Sequence, residues 1–311
     1  MIFHRYTGKT ILVVFIFMSF SIKSNFAQVG EIYDENTLIN CFFENLYNFS
    51  FREADSMVVV MGKTNMDKAT ISNIKANLAW WKLLSGDAID QNLKSCNSNI
   101  DESIKLLLKS KRQDVSSLLN IIYSYSLKAR LENYSGNTLK SLIYFYKSIA
   151  YMEKCLAKPV KDENLYLVLG LYFYFTDYFE NEYVLMSALF FTFPKGDKTK
   201  GLKYLEDCSS SKNEMIRTEA NYFLLKIYSY IEKNYPKAYR NAQILTQQHP
   251  NNLVYSLEQL KLLLILKKSS EAQIFQKKLI GEIQTAGNIN NIQKNHFISQ
   301  IQKLTKTRNH F

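Results

Sequence analysis

Asp177, Glu180 and Glu182 stand close together in an aromatic stretch, and two carboxyls flanking one bond are what glycoside hydrolysis needs. On a helix Asp177 and Glu180 are three apart and share a face. A solvated helix end or loop explains the same three acids more simply. Trp80 and Trp81 could stack on sugars, but neighbours on a helix point about 100° apart, so at least one must pack inward. His4 is near the N-terminus, His249 sits beside Pro250, and His296 and His310 lie in the tail. None has an HExxH, HxH or cysteine-rich neighbourhood, so a zinc site is not indicated. There is no GxxxxGK[ST] loop, no GxGxxG after a strand and no GxSxG elbow. The expectation is a protein that is not an enzyme, with no catalytic residue, cofactor or metal.

The elements that would position any site begin after residue 27. The opening "MIFHRYTGKTILVVFIFMSFSIKSNFAQ" places Arg5 and Lys9 before an apolar run, Ile11 to Ile22, with Ala27 beyond it. That order is a secretory signal peptide, cleaved after Ala27. An uncleaved anchor is the rival reading, and Asn25 stands where a smaller residue is usual. With Cys41 the first cysteine, a lipid-anchored lipoprotein is not expected. Cys41, Cys96, Cys155 and Cys208 recur at intervals of 55, 59 and 53 residues. One per helical pair would set them near the helix-packing distance of about 8–10 Å, too far for a disulfide, so buried free thiols are expected.

Ten Gly and four Pro in 311 residues leave few helix breakers, and apolar residues recur at three- and four-residue steps nearly to the end. Gly86 reads as a helix stop, Asp114 as a cap, Asp101 and Glu102 as the start of a second half-helix, and Pro159 as a helix end. Only "MVVVM" is ambiguous with strand. Short linkers favour antiparallel hairpins. The stretch Leu165–Pro194 carries eleven aromatics, yet its three acids divide it into runs too short to span a bilayer. It is expected to be a buried helix pair, with Gly170 marking a close helix approach; a partly exposed aromatic patch is the other reading.

The clearest repeat is "EANYFLLKIYSYIEKNYPKAYRNAQILTQQHPNN", residues 219–252. Tyr222 stands three before Leu225, Tyr235 three before Ala238, and Pro250 closes the unit. Ala272 follows Ala238 by 34 residues, and "FREA" sets Phe51 three before Ala54. These features resemble the tetratricopeptide-repeat superfamily, well over 219–252, weakly over 253–286 and around 35–66. Lys226, Ser229 and Ala242 replace the family's usual Gly, Tyr and large aromatic. Between 67 and 212 the period is lost, and "ANLAWWKLLSG", "LVLGLYFYF" and "FPKGDKTKGLKYLEDC" are similar to the inclusion-body-clearance subgroup. The resemblance implies an all-α fold, an α-α superhelix of antiparallel hairpins over residues 28–311, with divergent hairpins across 31–212. It also implies partner binding without chemistry. First helices line the concave face of such arrays, so Phe223, Lys226, Ile227 and Tyr230 would meet a bound segment. Packing of the same apolar residues onto the preceding hairpin is an equal alternative.

Residues 1–27 carry three basic residues and no acid, so their loss lowers the net charge from +11 to +8. Residues 195–311 hold 19 Lys and Arg against 9 Asp and Glu. Lys outnumbers Arg 32 to 7, which suits solvated faces better than base or phosphate recognition, so nucleic acid is not an expected partner. The function expected is an exported scaffold in a bacterial periplasm or cell envelope, binding a protein or peptide. The alternative is peripheral binding to a membrane surface or envelope polymer through exposed aromatics and the basic C-terminal third, including Lys267, Lys268, Lys277 and Lys278.

Overall fold

The computed structural model describes residues 34–112, 114–158, 163–182 and 192–306. The expected signal segment 1–27 and the expected Pro159 stop lie outside them. The described residues form 13 helices and no strand, an all-α fold. They pair along the chain: α1 Glu35–Tyr47 with α2 Phe51–Met61, α3 Lys68–Leu84 with α4 Ile89–Ser110, and α5 Val115–Tyr134 with α6 Thr138–Leu156. Then come α7 Glu163–Glu182 with α8 Lys198–Cys208, α9 Glu214–Lys226 with α10 Tyr235–Gln248, and α11 Leu253–Ile265 with α12 Ser269–Thr285. Helix α13, Asn291–Lys306, ends the described chain.

The stops and caps follow from residue chemistry. Gly86 takes φ +81° just past α3, which only a residue without a Cβ adopts easily. Asp114 caps α5 by accepting the Ser117 backbone N–H at 2.8 Å, as its short carboxylate suggests. "MVVVM" completes α2 as helix. Asp101 is a correction: it lies inside the unbroken α4 and starts no second half. Its carboxylate holds Lys128 Nζ at 2.5 Å, so the acid tethers α4 to α5.

A small residue recurs where the second helix of each pair crosses the first. The fourth residue of α2 is Ala54, of α6 Ser141, of α8 Gly201, of α10 Ala238 and of α12 Ala272, all buried. Asn92 of α4 is the exception in size, though it too is buried. At α8 the crossing is tightest. A Cβ on Gly201 would meet Tyr174 N at 2.5 Å and Gly170 O at 2.7 Å. Gly170 is therefore the close-approach position anticipated, and Gly201 is its partner.

Helix α7 fills the core: Leu167, Val168, Leu171, Tyr172, Tyr174, Phe175 and Phe179 have essentially no exposure. Burial recurs along one side of α7 as far as Phe179, while Tyr166 is 39% exposed and Asn181 and Glu182 are exposed. Residues 183–191, the rest of the expected helix pair, lie outside the described residues. No described helix is long and apolar enough to cross a membrane. All four cysteines are unpaired; Cys96, Cys155 and Cys208 are buried and Cys41 is half-buried.

The first pairs also meet the last. Tyr47 on α1 bonds Glu219 on α9, and Asn252 Nδ2 donates to the Tyr47 carbonyl at 2.8 Å. Asn288 Nδ2 reaches the Phe49 carbonyl at 3.4 Å, and Gln293 Nε2 reaches Ser85 Oγ at 2.7 Å. Rings pack across the same seam: Trp81 against Tyr255 at 5.7 Å and Phe49 against Phe297 at 6.1 Å. In an open array each pair would touch only its neighbours.

Candidate functional site

The four residues expected to meet a partner fall into two rows along α9 and its continuation. Phe223 and Ile227, one turn apart, are completely buried. Lys226 and Tyr230 form the adjacent row at the margin of the core, half-buried. The groove expectation is thus corrected at the two apolar positions: they have no surface to offer, because they complete the packing of α9 against its neighbours. The margin row carries the polar chemistry.

Lys226 Nζ donates to Glu258 Oε1 of α11 at 2.5 Å. The Tyr230 hydroxyl donates to both Glu258 oxygens at 3.3 Å, and Lys261 Nζ donates to that hydroxyl at 2.8 Å. The two ammonium groups also lie over aromatic faces. Lys226 is 5.3 Å from the Tyr222 ring and 5.2 Å from that of Tyr230, and Lys261 is 4.5 Å from the latter. Such contacts add roughly 0.5–2 kcal/mol, depending on exposure. Burial pulls the Lys226 ammonium down, but the Glu258 carboxylate and the two phenols outweigh it, and the net shift is upward. Burial raises Glu258 while Lys226 and Lys261 lower it, and the net shift is downward. The cluster stays ionised across ordinary pH. It can hold a peptide backbone or polar side chain, but it contains no activated nucleophile.

Local backbone shapes this margin. Ile227–Ile231 forms a π turn, closed by Glu232 N–H donating to the Ile227 carbonyl at 3.0 Å. Turns of this kind widen the helix and occur frequently at functional sites. The turn carries Tyr230 outward, opposite Glu258 and Lys261 on α11. Sequence reasoning missed those two, yet they are the only charged residues in "LVYSLEQLKLLLIL". A buried-helix sequence broken by two charges one turn apart signals a polar margin.

The other chemistry-bearing residues do not assemble into a site. Asp177 Oδ2 accepts the Lys198 backbone N–H at 3.1 Å, tying α7 to the first residue of α8, which Asp197 caps; Glu180 is half-buried and Glu182 exposed. Trp80 and Trp81 are both buried, leaving no stacking platform. His249 Nε2 pairs with Thr218 Oγ1 at 2.8 Å, burial holds its ring down at about 4, and the nearby Arg217 adds to the effect. His296 lies against Gly86, and His4 and His310 are outside the described residues. Among the described residues no three His, Cys, Asp or Glu side chains are grouped to hold a metal. Lys268 pairs with Glu271 at 3.0 Å and Lys278 with Glu282 at 3.6 Å, while Lys267 and Lys277 are exposed.

Comparison with protein-family models, with curated proteins and with solved structures finds no match to this chain.

Proposed function

We propose that this chain is an exported, non-enzymatic scaffold of tetratricopeptide-like superhelical form that binds a protein or peptide in the bacterial periplasm or cell envelope. The observation that carries the reading is the equivalence of two hairpins. Ala238 and Ala272, 34 residues apart, are each the buried fourth residue of a second helix. The first helices of those hairpins, α9 and α11, then place Lys226, Tyr230, Glu258 and Lys261 side by side at the surface margin. A preformed row of ring faces and charges accepts an extended segment at modest entropic cost. Contacts from α1 and α3, through Tyr47 and Trp81, hold the same two hairpins in place.

The basic-surface alternative draws on Ile274, which is 71% exposed on the same helix as Lys277 and Lys278. Capture from native envelope at rising salt separates the two. Partner retention unaffected by about 0.5 M salt supports the scaffold, because exposed charge contacts are screened beyond about 4 Å at that strength. Salt-sensitive binding to liposomes or cell-wall polymer, lost on neutralising Lys267, Lys268, Lys277 and Lys278, supports the alternative and overturns the scaffold.

A further inference from the structure

A cleft of about 320 Å³ opens between the last turn of α4, the first turns of α5 and Tyr151 of α6. Its walls are Leu107, Leu108, Leu118 and Ile121 with the Tyr151 ring. Leu107 and Ile121 belong, with Ala69 and Tyr125, to a small apolar cluster of their own. Leu108 is nevertheless 48% exposed, so apolar surface faces the opening.

The rim carries the opposite character. Lys111 and Arg112 line the mouth, both exposed and neither in an ion pair among the described residues. Lys111 holds the C-cap of α4 at φ +53°, a position where glycine is usual, and the chain turns there away from α4. Among the described residues no carboxylate lines the cleft. Asp114, three residues before Ser117, is engaged by the Ser117 backbone N–H and hydroxyl, which also occupies the hydroxyl of the one serine in the lining.

A ligand for this cleft must have a largely aliphatic body, because four of the wall residues are leucine or isoleucine and the Ser117 hydroxyl is already bonded to Asp114. It must end in negative charge, because the mouth presents two unneutralised cations. The volume lies at the low end for ligand pockets, enough for one chain and not for a two-tailed lipid or a large cofactor. We propose that the cleft binds an anionic single-chain amphiphile, with its tail against Leu107, Leu108, Leu118 and Ile121 and its head between Lys111 and Arg112. The site is remote in the chain from Lys226 and Tyr230, and it does not depend on where the protein resides.

Calorimetric titration of the purified full chain with sodium decanoate, below its micelle concentration, tests this directly. One decanoate per chain is expected, tightening roughly fourfold per methylene from hexanoate to decanoate, as burial of each CH₂ predicts. Decan-1-ol should bind at least tenfold more weakly. Lys111→Glu/Arg112→Glu should lose decanoate by at least tenfold and gain decyltrimethylammonium. Leu108→Trp, at an exposed wall, should block the tail while helix content by circular dichroism stays unchanged. Lysophosphatidylglycerol and phosphatidylglycerol vesicles identify the source. Binding of the one-tailed lysolipid, sensitive to the same substitutions, marks a lipid-derived amphiphile, and decanoate binding without it marks a free fatty acid. Co-sedimentation with two-tailed vesicles, lost on the same substitutions, would overturn a single-chain site. No decanoate binding, several molecules per chain, or affinity indifferent to these substitutions would overturn the proposal.

Discussion

The Tyr47 hydroxyl donates to Glu219 Oε1 at 2.5 Å, joining α1 to α9 across 172 residues of chain. Both residues are buried, and the other phenols and the cation that act electrostatically on Glu219 come from two further helices: Tyr123 and Arg130 from α5, and Tyr255 from α11. Burial, the dominant cause, pushes the Glu219 carboxyl up to about 8, although Arg130 and the Tyr47 bond pull it down. The seam between the first and last pairs is therefore titratable.

The sign of the effect on stability follows. In the unfolded chain Glu219 titrates near 4.5, so between that pH and about 8 the folded state holds the extra proton. Stability falls as pH rises through this window. His249 acts in the other direction: its folded value is about 4 against 6.5 unfolded, so it loses stability as pH falls below 6.5. The two slopes offset one another between 4.5 and 6.5. The unfolding free energy from urea titration should then decline from pH 6.5 to 8, by up to about 2 kcal/mol for one full proton. Glu219→Gln should flatten that decline, and a decline left intact would show that another group is responsible.

Gly201→Ala should destabilise the chain by about 1–3 kcal/mol, because the new methyl meets backbone atoms of α7 that cannot rotate away. Gly281→Ala, inside α12 with nothing within 4 Å, should instead stabilise by roughly 0.5–1 kcal/mol. Thermal unfolding of the two variants checks the opposed signs.

Lys226 and Glu258 are 17% and 15% exposed, between the surface and buried extremes for ion pairs. A double-mutant cycle with Lys226→Met and Glu258→Gln should yield a coupling of about 1–2 kcal/mol, above the value for exposed pairs. Each single variant should lose more stability than its half-share, since it strands a partly buried charge.

Burial raises the thiols of Cys96, Cys155 and Cys208, the latter two to about 11 and 12. Only half-buried Cys41 should react with a thiol reagent in the folded protein, and all four after unfolding. Two disulfides in the purified chain would contradict this arrangement.

Local structure was legible because its determinants are local. Spacing of apolar residues set the helices, Gly86 and Asp114 set their ends, and Ala54, Ala238 and Ala272 marked helix crossings. Ser141 and Gly201 occupy the same position in α6 and α8, but longer helices around them hid the register. The seam was not legible, since nothing near Tyr47 indicates that Glu219 will meet it. The polar margin beside Glu258 was half legible. Lys226 and Tyr230 lie on that margin, whereas periodicity could not distinguish their row from the adjoining buried row of Phe223 and Ile227. Glu258 and Lys261 come from the next hairpin, and only stacking brings them there.

Partner binding at this margin is tested most directly by replacing Tyr230 with a photo-crosslinking phenylalanine analogue in the native organism and irradiating intact cells. A discrete adduct with one envelope protein is expected, absent when the analogue replaces exposed Leu139 on α6 and reduced by Glu258→Gln. Irradiated chain that remains entirely uncoupled, or that couples equally from both positions, would contradict a partner surface at Lys226 and Tyr230.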